Sequence, residues 1–302
     1  MKFSYLIILL LMNFFWAAVY SAYKIVGEQL ATGAIVTLRF GLAAVCLFAV
    51  WPWLSGPAPR GKELLKTCIL GLILYVLGQR MQVYGNNLGT AGNSSVLMAV
   101  EPLLTSLAAA IFLGERIGPR RLAGFALGMC GVALLNGVWR ADFHWTGLGA
   151  SLIFIASFVC EAAYSVVGKT IVMRSSPVKM LAISLAIGTA ANLLIDGGAT
   201  FKTARTLSPE SWGLLVIMAT VCTALGYTVW LVIIRECPVN VAALTIFAQS
   251  FFGVLIAAVW LKEKLHWGQL WGSATILAGL VIGLSRQVHR PEQTADGTVS
   301  EV

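Results

Sequence analysis

The sequence predicts an all-α membrane protein: ten transmembrane helices arranged as two inverted repeats of five, with both termini on the cytoplasmic side. Three observations predict it. First, 58% of the 302 residues are hydrophobic and only 11% are charged, where roughly 25% charge is usual in a soluble domain. A water-soluble chain of this length lacks the polar residues to cover its exterior, which excludes soluble, disordered and nucleic-acid-binding classes. Second, apolar runs of about 20 residues, the length that crosses a hydrocarbon core, recur along the chain. Third, stretches of the second half repeat stretches of the first.

The runs fall at about 4–23, 34–53, 65–84, 92–113, 120–138, 147–168, 179–196, 211–231, 240–261 and 267–285. Breakers separate them: Gly56-Pro57-Ala58-Pro59, Gly118-Pro119, Ser176-Pro177, Ser208-Pro209 and Cys237-Pro238. Met1-Lys2 before an apolar run has the look of a signal peptide, but Tyr20 spoils the best cleavage site at Ala22. The first run also has an internal counterpart. Trp16-Ala17-Ala18-Val19-Tyr20-Ser21-Ala22-Tyr23-Lys24 resembles Glu161-Ala162-Ala163-Tyr164-Ser165-Val166-Val167-Gly168-Lys169. It is therefore read as a retained helix.

The repeat continues. Gly114-Glu115-Arg116 with Leu122, Gly124 and Gly131 matches Lys262-Glu263-Lys264 with Leu270, Gly272 and Gly279 at constant offset. The expected units are residues 1–140, residues 141–288 and a polar cytoplasmic tail at 289–302. An odd number of spans per half turns the second half upside down, the plan of many secondary transporters. The charges agree with an inside N-terminus. Thirteen Lys and Arg residues then fall in cytoplasmic segments and six outside, with Arg39 and Arg80 left within spans. The net charge of +8 follows from that topology and needs no nucleic acid.

Several classes are excluded. The six cysteines form no C-x-x-C pair, and His144, His266 and His289 are scattered among expected loops, so neither a disulfide framework nor a Cys/His metal site is expected. No G-x-x-x-x-G-K-[ST], H-E-x-x-H or G-x-S-x-G motif occurs, which argues against ATP drive and against an intramembrane enzyme, and no cofactor is expected.

The paired halves, the Trp-Ala-Ala of residues 16–18 with Lys24, Leu38-Arg39-Phe40, and Glu101-Pro102 followed by Leu113-Gly114-Glu115-Arg116 resemble the EamA branch of the drug/metabolite transporter superfamily. The resemblance covers residues 4 to 285 and implies a transporter of the cell (inner) membrane. One departure stands out. The family often repeats a mid-helix proline in the second half, where this chain has Gln249-Ser250. If proline makes the bend, the halves gate unequally.

Ionisable groups at midplane depth cost at least ~2.5–3.5 kcal/mol on insertion scales, so each asks for a reason. Glu101, beside the backbone broken by Pro102, and Glu161, in the place of Trp16, are candidate substrate- or proton-binding carboxylates. Each could instead be structural, paired with an arginine. Arg80 is a candidate for a substrate carboxylate or for neutralising a glutamate. Arg39 belongs to the Leu-Arg-Phe motif, which the resemblance makes more structural than substrate-binding, and it is shallow enough to snorkel. Span three carries a polar stripe of Tyr75, Gln79, Gln82 and Asn86, with Arg80, Tyr84 and Asn87 on an adjacent face. Thr220, Thr223, Tyr227 and Trp230 repeat the theme in span eight. Such faces look inward in lipid, whether as helix–helix glue or as a site. Trp16, Tyr20, Tyr23, Tyr164 and Gln249 complete the expected cavity lining, with Gln249 the repeat counterpart of Glu101. Trp51, Trp53, Trp139, Trp145, Trp212, Trp267 and Trp271 read as interfacial anchors. The glycines of spans five and ten form small-residue packing faces that suit intramolecular packing and a homodimer alike.

The expected function is secondary export of small polar metabolites, amino acids or their analogues foremost, by alternating access with protons as the coupling ion. The alternative is a broad drug or cation exporter, or a flippase for lipid-linked substrates.

Overall fold

A computed structural model describes residues 1–88, 97–140, 148–260 and 267–285. Among them the chain forms helices joined by short turns, with no strand. In chain order these are α1 (Phe3–Gly27), α2 (Thr32–Ala49), α3 (Lys62–Leu88), α4 (Glu101–Leu113), α5 (Pro119–Leu135), α6 (Leu148–Val172), α7 (Pro177–Ala204), α8 (Pro209–Glu236), α9 (Val239–Leu244), α10 (Ala248–Trp260) and α11 (Trp267–Leu284). Seven of them, α1, α2, α3, α6, α7, α8 and α11, are long and apolar enough to cross a membrane, and α4 is a shorter apolar helix. Several sequence expectations lie outside the described residues: the start of span four at 92–96, Trp145, the three histidines, Lys262-Glu263-Lys264 and the tail at 289–302.

The predicted breakers act as helix starts and stops. Proline opens α5, α7 and α8, behind Gly118, Ser176 and Ser208, where its missing N–H costs nothing. Ser208 caps α8 by accepting the Ser211 amide at 3.3 Å. Gly114 ends α4 at φ 67°, a left-handed conformation that a side chain resists. Helix α7 runs past the predicted end at residue 196. Asp196 leaves helical geometry at φ −143°, and the helix resumes beyond it. The reason is tertiary: the Asp196 carboxylate accepts Arg80 Nη2 at 2.6 Å and Thr37 Oγ1 at 3.1 Å, which holds a local kink instead of a terminus.

Two kinds of irregularity recur on either side of the chain's middle. Helix α3 contains a π segment at Ile73–Gly78, and α8 contains one at Met218–Leu225. A side chain from another helix donates to a carbonyl of each: Asn192 Nδ2 to Tyr75 at 2.9 Å, and Trp16 Nε1 to Cys222 at 2.8 Å. Such donors offset the hydrogen bonds that a π segment strains in lipid. The second irregularity is a break before each polar mid-span residue. Ala99 and Val100 turn before Glu101 opens α4, and a 3-10 turn at Thr245–Phe247 separates α9 from α10 just before Gln249. The second break forms without proline. Asn13 of α1 braces it, donating to Thr245 Oγ1 at 3.1 Å and accepting from Gln249 Nε2 at 2.9 Å. An interruption therefore occurs in both halves, although only one has the proline.

Packing partners are drawn largely from opposite halves of the chain: α2 lies on α7, α4 on α6 and α9, α1 on α10, and α5 on α11. The α5–α11 contact is built on glycine. A Cβ on Gly124 would sit 2.8 Å from the Gly283 Cα, and one on Gly131 would sit 2.8 Å from the Gly272 carbonyl oxygen. The small-residue faces thus pack against each other within one chain.

Candidate functional site

Five helices and two breaks surround a cavity. It is lined by Trp16, Val19 and Tyr20 of α1, Arg39 of α2, Gln79 and Gln82 of α3, Glu101 of α4, Glu161 and Ser165 of α6, Tyr227 and Trp230 of α8, and Ile246 and Gln249 at the second break. It leaves about 60 Å³ for the centres of water-sized groups.

Backbone geometry explains why polar groups meet here. Glu101 is the first residue of α4, so the unpaired amides and positive dipole end of a half-helix lie beside its carboxylate. The π segments end just before Gln79 and Tyr227, and their extra residue re-aims the side chains that follow. Both reach Glu161: Gln79 Nε2 donates to its Oε1 at 2.7 Å and Tyr227 Oη at 3.0 Å. Behind them Tyr75, Tyr164 and Tyr227 pack edge to face, with ring centroids 5.6, 5.8 and 6.0 Å apart. Trp16 stands edge-on to Tyr227 at 6.1 Å and to Trp230 at 6.3 Å.

Of the residues expected from sequence, Glu101, Glu161, Arg39, Trp16, Tyr20, Gln79, Tyr227 and Gln249 converge on this cavity. Tyr164 supports it from behind, bonded to Ser184 at 3.2 Å. Arg80 and Tyr84 lie elsewhere. Arg80 donates to Asn192 at 2.7 Å and to Asp196 at 2.6 Å, and so neutralises neither Glu101 nor Glu161. Tyr84 is 49% exposed on the adjacent face of α3. Arg39 does not snorkel: it is only 3% exposed, and its Nε and Nη1 donate to Thr223 Oγ1 and Tyr23 Oη. Two hydroxyls from neighbouring helices make that burial affordable. Within span eight Thr223, Tyr227 and Trp230 face inward, while Thr220 turns back to its own helix at Val216.

Gln82 of the span-three stripe reaches the cavity beside Gln79, three residues on along the same α-helical face. Sequence reasoning missed two positions. Asn13 is a lone amide in an apolar run, a signal that depth rules could have flagged. Asp196 looked like a span end and is an interior partner instead.

Comparison with known proteins bears on this arrangement. The model of the EamA-like transporter family matches residues 3–137 and 148–284. The chain is 24% identical over 285 residues to a probable terminal-alkyne amino-acid exporter of Streptantibioticus cattleyicolor, covering 93% of each chain. It is 29% identical over 205 residues to a probable amino-acid metabolite efflux pump of Escherichia coli, covering 64% of this chain and 67% of that one. A crystal structure with 17% identity superposes with a TM-score of 0.75 over 93% of this chain and 96% of the other, a likeness of fold. A polar cavity walled by apolar, interrupted helices is how a transporter holds cargo inside a bilayer, and with the family match spanning nearly all of it, this multi-pass inner-membrane chain belongs to the EamA-like transporter family.

Proposed function

We propose that this protein is a secondary exporter of small polar metabolites, amino acids and their analogues foremost, which works by alternating access with proton coupling through Glu101 and Glu161. One observation carries the reading. Two carboxylates on separate helices face one cavity, and among the described residues neither is ion-paired with an arginine. Buried carboxylates without a cation are costly, and a proton or a substrate ammonium relieves them. A carboxylate that takes one cannot hold the other at full strength, which links the two fluxes.

The architecture belonging to this reading has ten membrane crossings in two inverted halves, residues 1–140 and 141–288, with both termini cytoplasmic. The placing of the family matches on either side of residue 140 supports it, as does the excess of Lys and Arg in the expected inner segments. Half-helix ends at Glu101 and Gln249 suit a site between two rocking bundles. The printed functions of the two amino-acid exporting relatives support the substrate class.

The test compares the medium around cells overexpressing the native chain with that around cells making equal amounts of Glu101→Gln. One class of metabolite is expected to accumulate outside with the native form alone, and its export to vary with external pH. Matching profiles at equal membrane abundance would sink the reading. A second reading rests on Trp16, Tyr20, Tyr227 and Trp230 beside the carboxylates, an arrangement that suits amphipathic cations. Under it, overexpression raises tolerance to several unrelated cationic dyes and leaves the metabolite profile unchanged.

A further inference from the structure

We infer that the cavity holds its substrate by both charged ends of an α-amino acid, the carboxylate against Arg39 and Gln82 and the ammonium between Glu101 and Glu161. This rests on the reading of the cavity as the transport site. The hydrogen-bond inventory around the cavity carries it. Arg39 spends Nε on Thr223 and Nη1 on Tyr23, and its Nη2 has no partner among the described residues. Gln82, 7% exposed and lining the cavity, makes no hydrogen bond among them. Glu161 receives both of its bonds on Oε1, which leaves Oε2 without a donor. Glu101 lines the same space with no hydrogen-bond partner among the described residues. Arg39 lies within electrostatic reach of Glu161 but does not bond to it.

The site therefore keeps a positive and a negative pole apart, each with unused hydrogen-bonding capacity. These atoms open onto the cavity and are not sealed in protein, so a ligand that meets both poles gains charge-assisted hydrogen bonds at both, where one that meets a single pole leaves the other to water. A simple amine answers the glutamates and leaves the guanidinium unmet. A simple carboxylate does the reverse. The zwitterionic head of an amino acid answers both, with Gln82 supplying an amide donor for the second carboxylate oxygen. Trp16 and Tyr20 remain to meet the side chain.

The test uses the full chain in lipid nanodiscs and calorimetric titration with L-alanine, L-valine and L-threonine. Each is set beside its amide, which keeps only the ammonium, and beside the acid lacking the amino group. At least one amino acid is expected to bind tenfold or more tightly than both of its analogues. Arg39→Gln should then erase the preference over the amide, and Glu101→Gln the preference over the deaminated acid. Should Arg39→Gln not fold, Gln82→Met, which breaks no bond among the described residues, should still weaken the amino acid and leave the amide unchanged. An amide or a deaminated acid that binds as well as its parent overturns the inference, and so does an absence of binding by all three amino acids. If export of some other metabolite persists in the medium profile, that failure leaves the exporter reading standing. Failure of both assays removes both.

Discussion

From sequence Arg80 is the candidate for a substrate carboxylate and Arg39 the more structural guanidinium, and their surroundings reverse that order. Arg80 finds a carboxylate and an amide on α7, Asp196 and Asn192. Arg39 finds two hydroxyls and the rings of Tyr23 and Phe40, 5.5 and 5.0 Å from its guanidinium carbon, and no carboxylate bonds to it among the described residues. Asp196→Asn should consequently act on stability. It leaves Arg80 without its counter-charge, and the loss of a charged hydrogen bond is worth about 1.5–3 kcal/mol. Thermal unfolding in detergent should shift down while the relative rates for different substrates stay as in the native chain. Altered substrate preference at unchanged unfolding temperature would return Arg80 to the site. The glutamates were legible because charge is rare in a span. Asp196 was not, since a carboxylate near a hydropathy boundary reads as an end, and only the neighbouring helix shows it to be interior.

Among the elements, the interruptions position the site. The break before Glu101 could be read from Pro102. The one before Gln249 has no proline and depends on Asn13, 236 positions away, so no local pattern announces it. The π segments are equally silent in sequence, because an extra residue in a turn changes hydrogen-bond register without a distinctive side chain. One contact between elements was visible only as a repeat marker. Glu115, just beyond α4, accepts the amides of Val239 and Asn240 at 2.7 and 2.9 Å, which places it on the N-terminus of α9. It also accepts Lys169 Nζ of α6 at 3.0 Å, and Lys169 reaches the Cys237 carbonyl at 2.7 Å. The motif thus ties together the ends of elements that lead to Glu101, Glu161 and Gln249. A double-mutant cycle of Glu115→Gln and Lys169→Met is expected to show coupling of about 1 kcal/mol or more in unfolding free energy. Additive effects would mean that the two side chains hold their helices independently.

Across the whole molecule, the halves interlock, and glycine makes the tightest seam. On Gly272 a Cβ would lie 2.6 Å from the Gly131 carbonyl oxygen, so Gly272→Leu forces α5 and α11 apart. Overpacking of this kind costs about 1–3 kcal/mol, and thermal unfolding should register it. Gly149→Leu, at a position where an added Cβ meets nothing within 4 Å among the described residues, is the control and should be close to neutral. Equal effects at the two sites would mean that the seam does not hold the bundle. The same seam bears on assembly. The stripes that suggested a homodimer are already covered within the chain, so a second copy would need a different face.

Composition, span length and the internal repeat were sufficient by themselves for an all-helical membrane transporter and for Glu101 and Glu161 as its unusual residues, because each of those signals is local or periodic along the chain. Which polar residues share the cavity was decided only in three dimensions. Arg39 faces it and Arg80 does not, and Asn13 builds the second break. A side chain deep in a membrane protein takes its role from the partner that meets it, and here those partners come from helices up to 236 residues distant in the chain.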